Sequence, residues 1–157
     1  MVNQKLVGRC GMYCGACVIH RAYRDSPSLR VWLAEKHGCP PGDVVCDGCQ
    51  AVHARGWAKD PQWGKNCRIL ECLADHNIRF CHDCPERRSC KRWHDLAEYF
   101  EFLDMDLAAN LQRIRAGETR EWLEEQDRKW RCVHCGARMP ASQEITLCLK
   151  CNRPARY

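Results

Sequence analysis

No stretch of the 157 residues has the length and apolar character of a membrane span, and the opening Met-Val-Asn-Gln-Lys-Leu-Val-Gly-Arg-Cys lacks the apolar core of a secretory leader. Both absences place the chain in a reducing cytoplasm, away from membranes. A Gly-rich phosphate loop, a Gly-x-Ser-x-Gly elbow and a His-Glu-x-x-His helix are also missing, which argues against the commonest nucleotide-hydrolysing, acyl-transfer and metalloprotease chemistries and favours a protein that is not an enzyme. Large apolar residues are sparse around the cysteines of the first 91 positions, too sparse for core burial alone to fold them. Metal coordination would have to supply much of the folding free energy there.

What the sequence has instead is 15 cysteines. In a reducing compartment disulfides are disfavoured, the odd count suits a closed disulfide set poorly, and paired Cys-x-x-Cys spacings read as metal ligands. The sharpest motif is Cys132-Val-His-Cys135, twelve residues, then Cys148-Leu-Lys-Cys151. Two knuckles at that separation match a zinc ribbon, in which four thiolates close a tetrahedral structural site and leave no open position for catalysis.

The eleven earlier thiols begin with Cys10-Gly-Met-Tyr-Cys14-Gly-Ala-Cys17, three in eight residues, and continue through Cys39, Cys46, Cys49, Cys67, Cys72, Cys81, Cys84 and Cys90. One economical partition closes a site from Cys14, Cys17, Cys46 and Cys49 and a second from Cys67, Cys72, Cys81 and Cys84, leaving Cys10, Cys39 and Cys90. A competing one joins Cys81, Cys84 and Cys90 to His94, one helical turn beyond Cys90. With the ribbon, these schemes give about three zinc ions per chain. Cys39, beside Pro40 and Pro41, reads as part of a rigid turn rather than a reactive thiol. The Cys10-x3-Cys14-x2-Cys17 spacing equals that of the cluster loop in radical S-adenosylmethionine enzymes. The chain is too short for their barrel, so the match supports only the alternative of a [4Fe-4S] cluster in this segment.

Charge is segmented. Residues 1–91 carry 14 basic and 9 acidic side chains, 92–128 carry 5 and 10, and 129–157 carry 6 and 1, for a formal net charge of +5. Each four-thiolate divalent site adds about −2, so much of the basic excess balances thiolates. The C-terminal segment stays near +3 by the same arithmetic through Lys129, Arg131, Arg138, Lys150, Arg153 and Arg156. A phosphate backbone and an acidic protein face are both candidate partners for it, but with Trp130 and Tyr157 as its only aromatics a nucleic-acid role is weakly signalled.

Between the cysteines the pattern is helical. A short helix leaves Cys17. Ser26 and Pro27 cap and start a second, with Leu29, Trp32 and Leu33 on one face and Gly38 as its stop; a third runs over 67–76 to a left-handed cap at Asn77. Residues 50–66 form an irregular connection in which Trp57 and Trp63 cover the metal region. From Lys91 the spacing predicts three helices, with Trp93, Leu96, Phe100 and Leu103 on the first, a break near 104–106, then Leu107, Leu111 and Ile114 up to Gly117, then Trp122 and Leu123 on the helix from Thr119. This stripe reads as core rather than a cofactor box.

With those residues laid out, the chain resembles domain-of-unknown-function family 3795, small cysteine-rich prokaryotic proteins. The resemblance rests on Cys10-Gly-Met-Tyr-Cys14-Gly-Ala-Cys17, Cys46-Asp-Gly-Cys49, Cys67-Arg-Ile-Leu-Glu-Cys72, Cys81-His-Asp-Cys84 and Cys90, with 122–132 similar to the linker that carries longer members into a C-terminal ribbon. Three features depart from the family pattern: Val18 replaces a proline, Arg88-Ser89 an apolar-Pro pair, and Cys39 is extra. The resemblance implies metal binding and no particular reaction.

Together these readings predict a small, irregular, metal-stabilised α+β protein: a multi-knuckle domain over 1–91, a helical connector over 92–129 and a zinc ribbon over 130–157, engaging a macromolecular partner.

Overall fold

The computed structural model describes residues 2–154; Arg156 and Tyr157 of the basic C-terminal segment lie outside them. Six α-helices carry the chain: α1 (Val18–Asp25), α2 (Pro27–Lys36), α3 (Arg68–Asp75), α4 (Lys91–Glu101), α5 (Leu107–Arg115) and α6 (Thr119–Lys129), joined by short 3-10 turns. Among the described residues extended pairing is confined to three isolated bridges, Val7 with Tyr13, Arg131 with Arg138 and Leu147 with Pro154. The β half of the predicted α+β class therefore shrinks to these bridges, because each cysteine loop closes on itself within a few residues and leaves no room for a ladder.

The helix boundaries follow local chemistry. Ser26 Oγ accepts from the Leu29 N–H at 3.2 Å with Pro27 behind it, and α2 stops before Gly38 at φ +60°. Asn77 ends α3 at φ 53°. Asp106 Oδ1 accepts from the Ala109 N–H at 2.9 Å to start α5 after Asp104 at φ 58° breaks α4 from it, and Gly117 at φ 85° separates α5 from α6.

One apolar cluster runs the length of the chain from Leu6 to Trp130. It packs the first cysteine loop (Val7, Tyr13, Cys14) against Trp93 and Phe100 of α4, Leu107 and Leu111 of α5, and Trp122 and Leu123 of α6. Trp122 is fully buried and Leu123 nearly so, as the helical stripe predicted. A second cluster gathers Ile19, Ala22, Leu29, Leu33, Val44 and Trp57 around α1 and α2. A third holds only Cys132, Met139 and Cys148. The C-terminal segment is tied back by the Ala141 N–H donating to the Ala16 carbonyl at 2.7 Å and by Arg131 and Arg138 sharing Asp127 of α6 at 2.5 and 2.6 Å. No helix among the described residues is long and apolar enough to cross a membrane.

Candidate metal centres

The C-terminal loops are two copies of one turn. In each, the N–H of the first cysteine is held by a carbonyl five residues on (Cys132 by Ala137 at 2.8 Å, Cys148 by Arg153 at 2.8 Å). In each, the N–H four residues on returns to the cysteine's own carbonyl, from Gly136 at 2.9 Å and from Asn152 at 2.9 Å, and both of those residues take left-handed φ, 70° and 57°. The turns face each other and bring the Sγ atoms of Cys132, Cys135, Cys148 and Cys151 within 4.8 Å of one another. Cys132 stands 3.7 Å from Cys151 and Cys135 3.6 Å from Cys148. Four sulfurs about 2.3 Å from a common ion would form a tetrahedron with edges of about 3.8 Å, so this donor set fits one tetrahedral metal ion with all four positions filled. Burial opposes ionisation of Cys132, yet the N–H groups of His134 and Cys135 and the neighbouring thiols Cys148 and Cys151 outweigh it and lower that thiol.

The N-terminal thiols are arranged differently. Cys17, Cys67 and Cys90 each follow a 3-10 turn and occupy the N-cap of α1, α3 and α4 with extended backbone and no side-chain cap bond. Each of these cysteines therefore stands at a helix end whose first N–H groups have no partner within the helix. Charge on Cys49, Cys17 and Cys46 opposes ionisation of Cys14, charge on Cys49, Cys81 and Cys67 that of Cys10, and charge on Cys90, Cys84, Cys72 and Cys67 that of Cys81. Cys49 acts on both Cys10 and Cys14. Its own N–H donates to Cys14 Sγ at 3.4 Å, and the Arg9 N–H donates to Cys49 Sγ at 3.5 Å.

Burial pushes Cys10 and Cys14 well above the usual thiol range, with Cys49 adding to both, and raises Cys17 and Cys49 to about 11 and Cys81 to about 12. Each buried thiol makes ionisation of the next harder. A cation among them would reverse that sign, but among the described residues the four C-terminal cysteines alone bring their sulfurs within 4.8 Å of one another. Six of the N-terminal thiols (Cys10, Cys14, Cys17, Cys46, Cys49 and Cys67) line a cavity of about 500 Å³ with Trp32, Trp57 and Trp63 also on its wall.

Two residues singled out from the sequence have other engagements. His94 Nε2 lies 2.8 Å from the Arg88 carbonyl, which can only accept, so that nitrogen carries a proton and its lone pair is not offered to an ion. Cys39 packs against the second apolar cluster, its N–H held by the Ala34 carbonyl at 2.9 Å. Cys72 Sγ sits 3.9 Å from His76 Nδ1 at the exposed end of α3. The helix N-cap repeat escaped the sequence reading, which grouped cysteines by spacing. Its signal is a cysteine in front of the first residue of each of three helices.

These features define a small helical, cysteine-rich protein with a C-terminal tetrathiolate cluster able to hold a metal ion. The chain belongs to the family described as protein of unknown function DUF3795, whose model matches residues 6–95, more than half of its length. No curated protein and no solved structure matches the chain.

Proposed function

We propose that this protein is a metal-stabilised interaction module in which Cys132, Cys135, Cys148 and Cys151 form a zinc ribbon around a structural Zn2+, and the N-terminal thiols hold further metal that fixes the fold. The observation that carries this reading is the closed set of four sulfurs at tetrahedral spacing, which leaves no coordination position for a substrate. A closed site contributes folding energy, so function lies on the surface it supports. Three apolar side chains stand exposed on the two C-terminal turns: Val133 at 62 %, Leu147 at 45 % and Leu149 at 44 %. With Arg138, Lys150 and Arg153 close by in sequence, they support a protein partner with an apolar patch and an acidic rim over a bare phosphate backbone.

A second reading is favoured by the six-thiol cavity. Its volume leaves room for an inorganic core larger than one ion, and N–H groups already donate to Cys14 and Cys49, as they do to the sulfurs around iron–sulfur clusters. On that reading the N-terminal segment holds a [4Fe-4S] cluster for redox sensing or electron transfer.

Elemental analysis and a visible spectrum of protein purified without oxygen and without added metal test both. About three zinc per chain with no visible absorption support the structural reading. Iron with acid-labile sulfide supports the cluster, and protein folded without metal refutes both.

A further inference from the structure

Sharing no lining residue with the thiol cavity, a second, polar cleft of about 1330 Å³ is walled by α1, α6 and the turn at Gln4–Leu6. Seven basic side chains line it against four acidic ones: Lys5, Arg21, Arg24, Arg128, Arg131 and Arg138, with Arg120 farther along α6, against Asp25, Asp47, Glu124 and Asp127. Several of these charges are already matched. Arg131 and Arg138 share Asp127, Arg120 faces Glu124 at 3.3 Å, and Arg55 outside the cleft faces Asp47 at 3.8 Å.

Arg21 is the exception in kind. Its side chain is only 5 % exposed; Nη1 reaches Asp25 at 2.5 Å, but Nε is buried with no hydrogen-bond partner. A buried guanidinium N–H without an acceptor is costly, and Asp25, itself 41 % exposed, only partly compensates the charge. Burial accordingly lowers the affinity of Arg21 for its proton, with the nearby Arg138 adding to that effect. Tyr13 lines the same cleft; burial pushes its phenol up to about 12, so it stays a neutral O–H donor at neutral pH. Lys5, Arg24 and Arg128 stand exposed and take part in no ion pair among the described residues, although Arg24 rests on the Tyr23 ring at 5.7 Å.

We propose that this cleft is an anion site that takes a phosphate group carried by a small molecule of nucleotide size, with Arg21 and Tyr13 donating at its base and Lys5, Arg24 and Arg128 at its rim. The chemistry is that of a planar guanidinium in the lining of a cationic cleft, with an N–H that has no acceptor within the protein. Concavity selects a small molecule, because a buried arginine is beyond the reach of an extended backbone crossing an open face. Tyr23, half-buried at the cleft, offers an aromatic face for a ring. The site is independent of which metal the thiols hold.

The test is calorimetric titration of the full metal-loaded chain, at fixed ionic strength, with pyrophosphate, with ATP and with a mixed-sequence single-stranded oligonucleotide. Pyrophosphate and ATP are expected to bind one per chain. Tighter ATP binding identifies a nucleotide as the source, and equal binding identifies the phosphate group alone. Arg21→Gln should weaken both by about tenfold or more. Because Arg21 is buried, a second variant guards against misfolding: Arg24→Ala with Arg128→Ala alters two exposed side chains and should weaken binding several-fold at unchanged thermal midpoint and metal content. The proposal is overturned if the wild-type chain binds neither small anion, if the exposed double variant binds as wild type does, or if the oligonucleotide binds and pyrophosphate does not displace it. Metal content measured on the same samples reports separately on the metal-stabilised reading.

Discussion

Asn110 in the middle of α5 donates from Nδ2 to the carbonyl of Gly11 at 2.9 Å, across 99 residues of sequence. The same amide accepts from Trp122 Nε1 of α6 through Oδ1 at 2.8 Å, so one buried side chain binds the first cysteine loop to both later helices. The Trp93 indole does the same service one residue earlier, donating to the Cys10 carbonyl at 3.0 Å. The backbone that presents Cys10 and Cys14 is thus held by side chains of α4 and α5, and the stripe-bearing helices act as the mould of the thiol loop.

Replacing Asn110 with Leu leaves the buried Trp122 N–H and the Gly11 carbonyl without partners. The expected loss is about 2–3 kcal/mol, the usual cost of stranding buried polar groups. Trp122→Phe on the Leu background should then cost less than on the wild type, because the donor it removes is already orphaned. Urea denaturation of the metal-loaded chain measures both, and an unchanged midpoint for Asn110→Leu refutes the mould.

Gly11 itself sits at φ 100°, and a Cβ there would lie 2.4 Å from the Leu107 carbonyl oxygen. Gly48, between Cys46 and Cys49, repeats the pattern at φ 102° with 2.3 Å to the Lys5 carbonyl oxygen. Alanine at either position adds left-handed strain to a backbone clash, together more than about 2 kcal/mol. Since both loops present thiols, the proposed metal-stabilised fold predicts that each variant loses metal from the N-terminal segment while keeping a C-terminal ion, a pattern that metal analysis of the purified variants distinguishes from general unfolding.

The helix starts and stops were legible in the sequence because they are set within one turn: Ser26 with Pro27, Asn77 and Gly117 each act on their own neighbours. The C-terminal sulfur set was legible for the same reason, two tight knuckles with a short span between them. The cleft around Arg21 was not, since it exists only where α6 returns to α1 a hundred residues later. The placing of Cys10 and Cys67 on one cavity wall with Cys49 was likewise hidden, because it depends on long-range packing such as that of Gly48 against Lys5, which spacing does not encode.

Asp127 links α6 to the C-terminal turns. Burial works against its charged form, but hydrogen bonds from Arg138 and Arg131 outweigh this and hold the carboxyl below its usual range. A depressed folded pKa means stability that is fully present above the unfolded carboxylate pKa and lost as pH falls through the lower folded value. Asp127→Asn should therefore be less stable than wild type at pH 7, by about 1 kcal/mol for a partly exposed pair of bridges, and the gap should close in acid. The difference between the two proteins at each pH is the quantity to follow, because acid also strips thiolate metal from both. A gap that stays constant from pH 7 to the acid end would show that the carboxylate charge plays no part.

The third apolar cluster, Cys132, Met139 and Cys148 with partial cover from Ala137, Ile145 and Cys151, is too small to order the segment that carries it. Fixing each backbone residue costs roughly 1–2 kcal/mol, whereas a structural Zn2+ supplies roughly 10–16 kcal/mol. Cys148→Ser should accordingly remove one metal equivalent per chain and open 131–154 to limited proteolysis, while the large cluster from Leu6 to Trp130 keeps α4 to α6 intact and protected. Cys39→Ser, at a thiol with no part in any of the sets above, should change neither metal content nor cleavage. Unaltered metal content and an unaltered digestion pattern for Cys148→Ser would remove the tetrathiolate from any role in the fold.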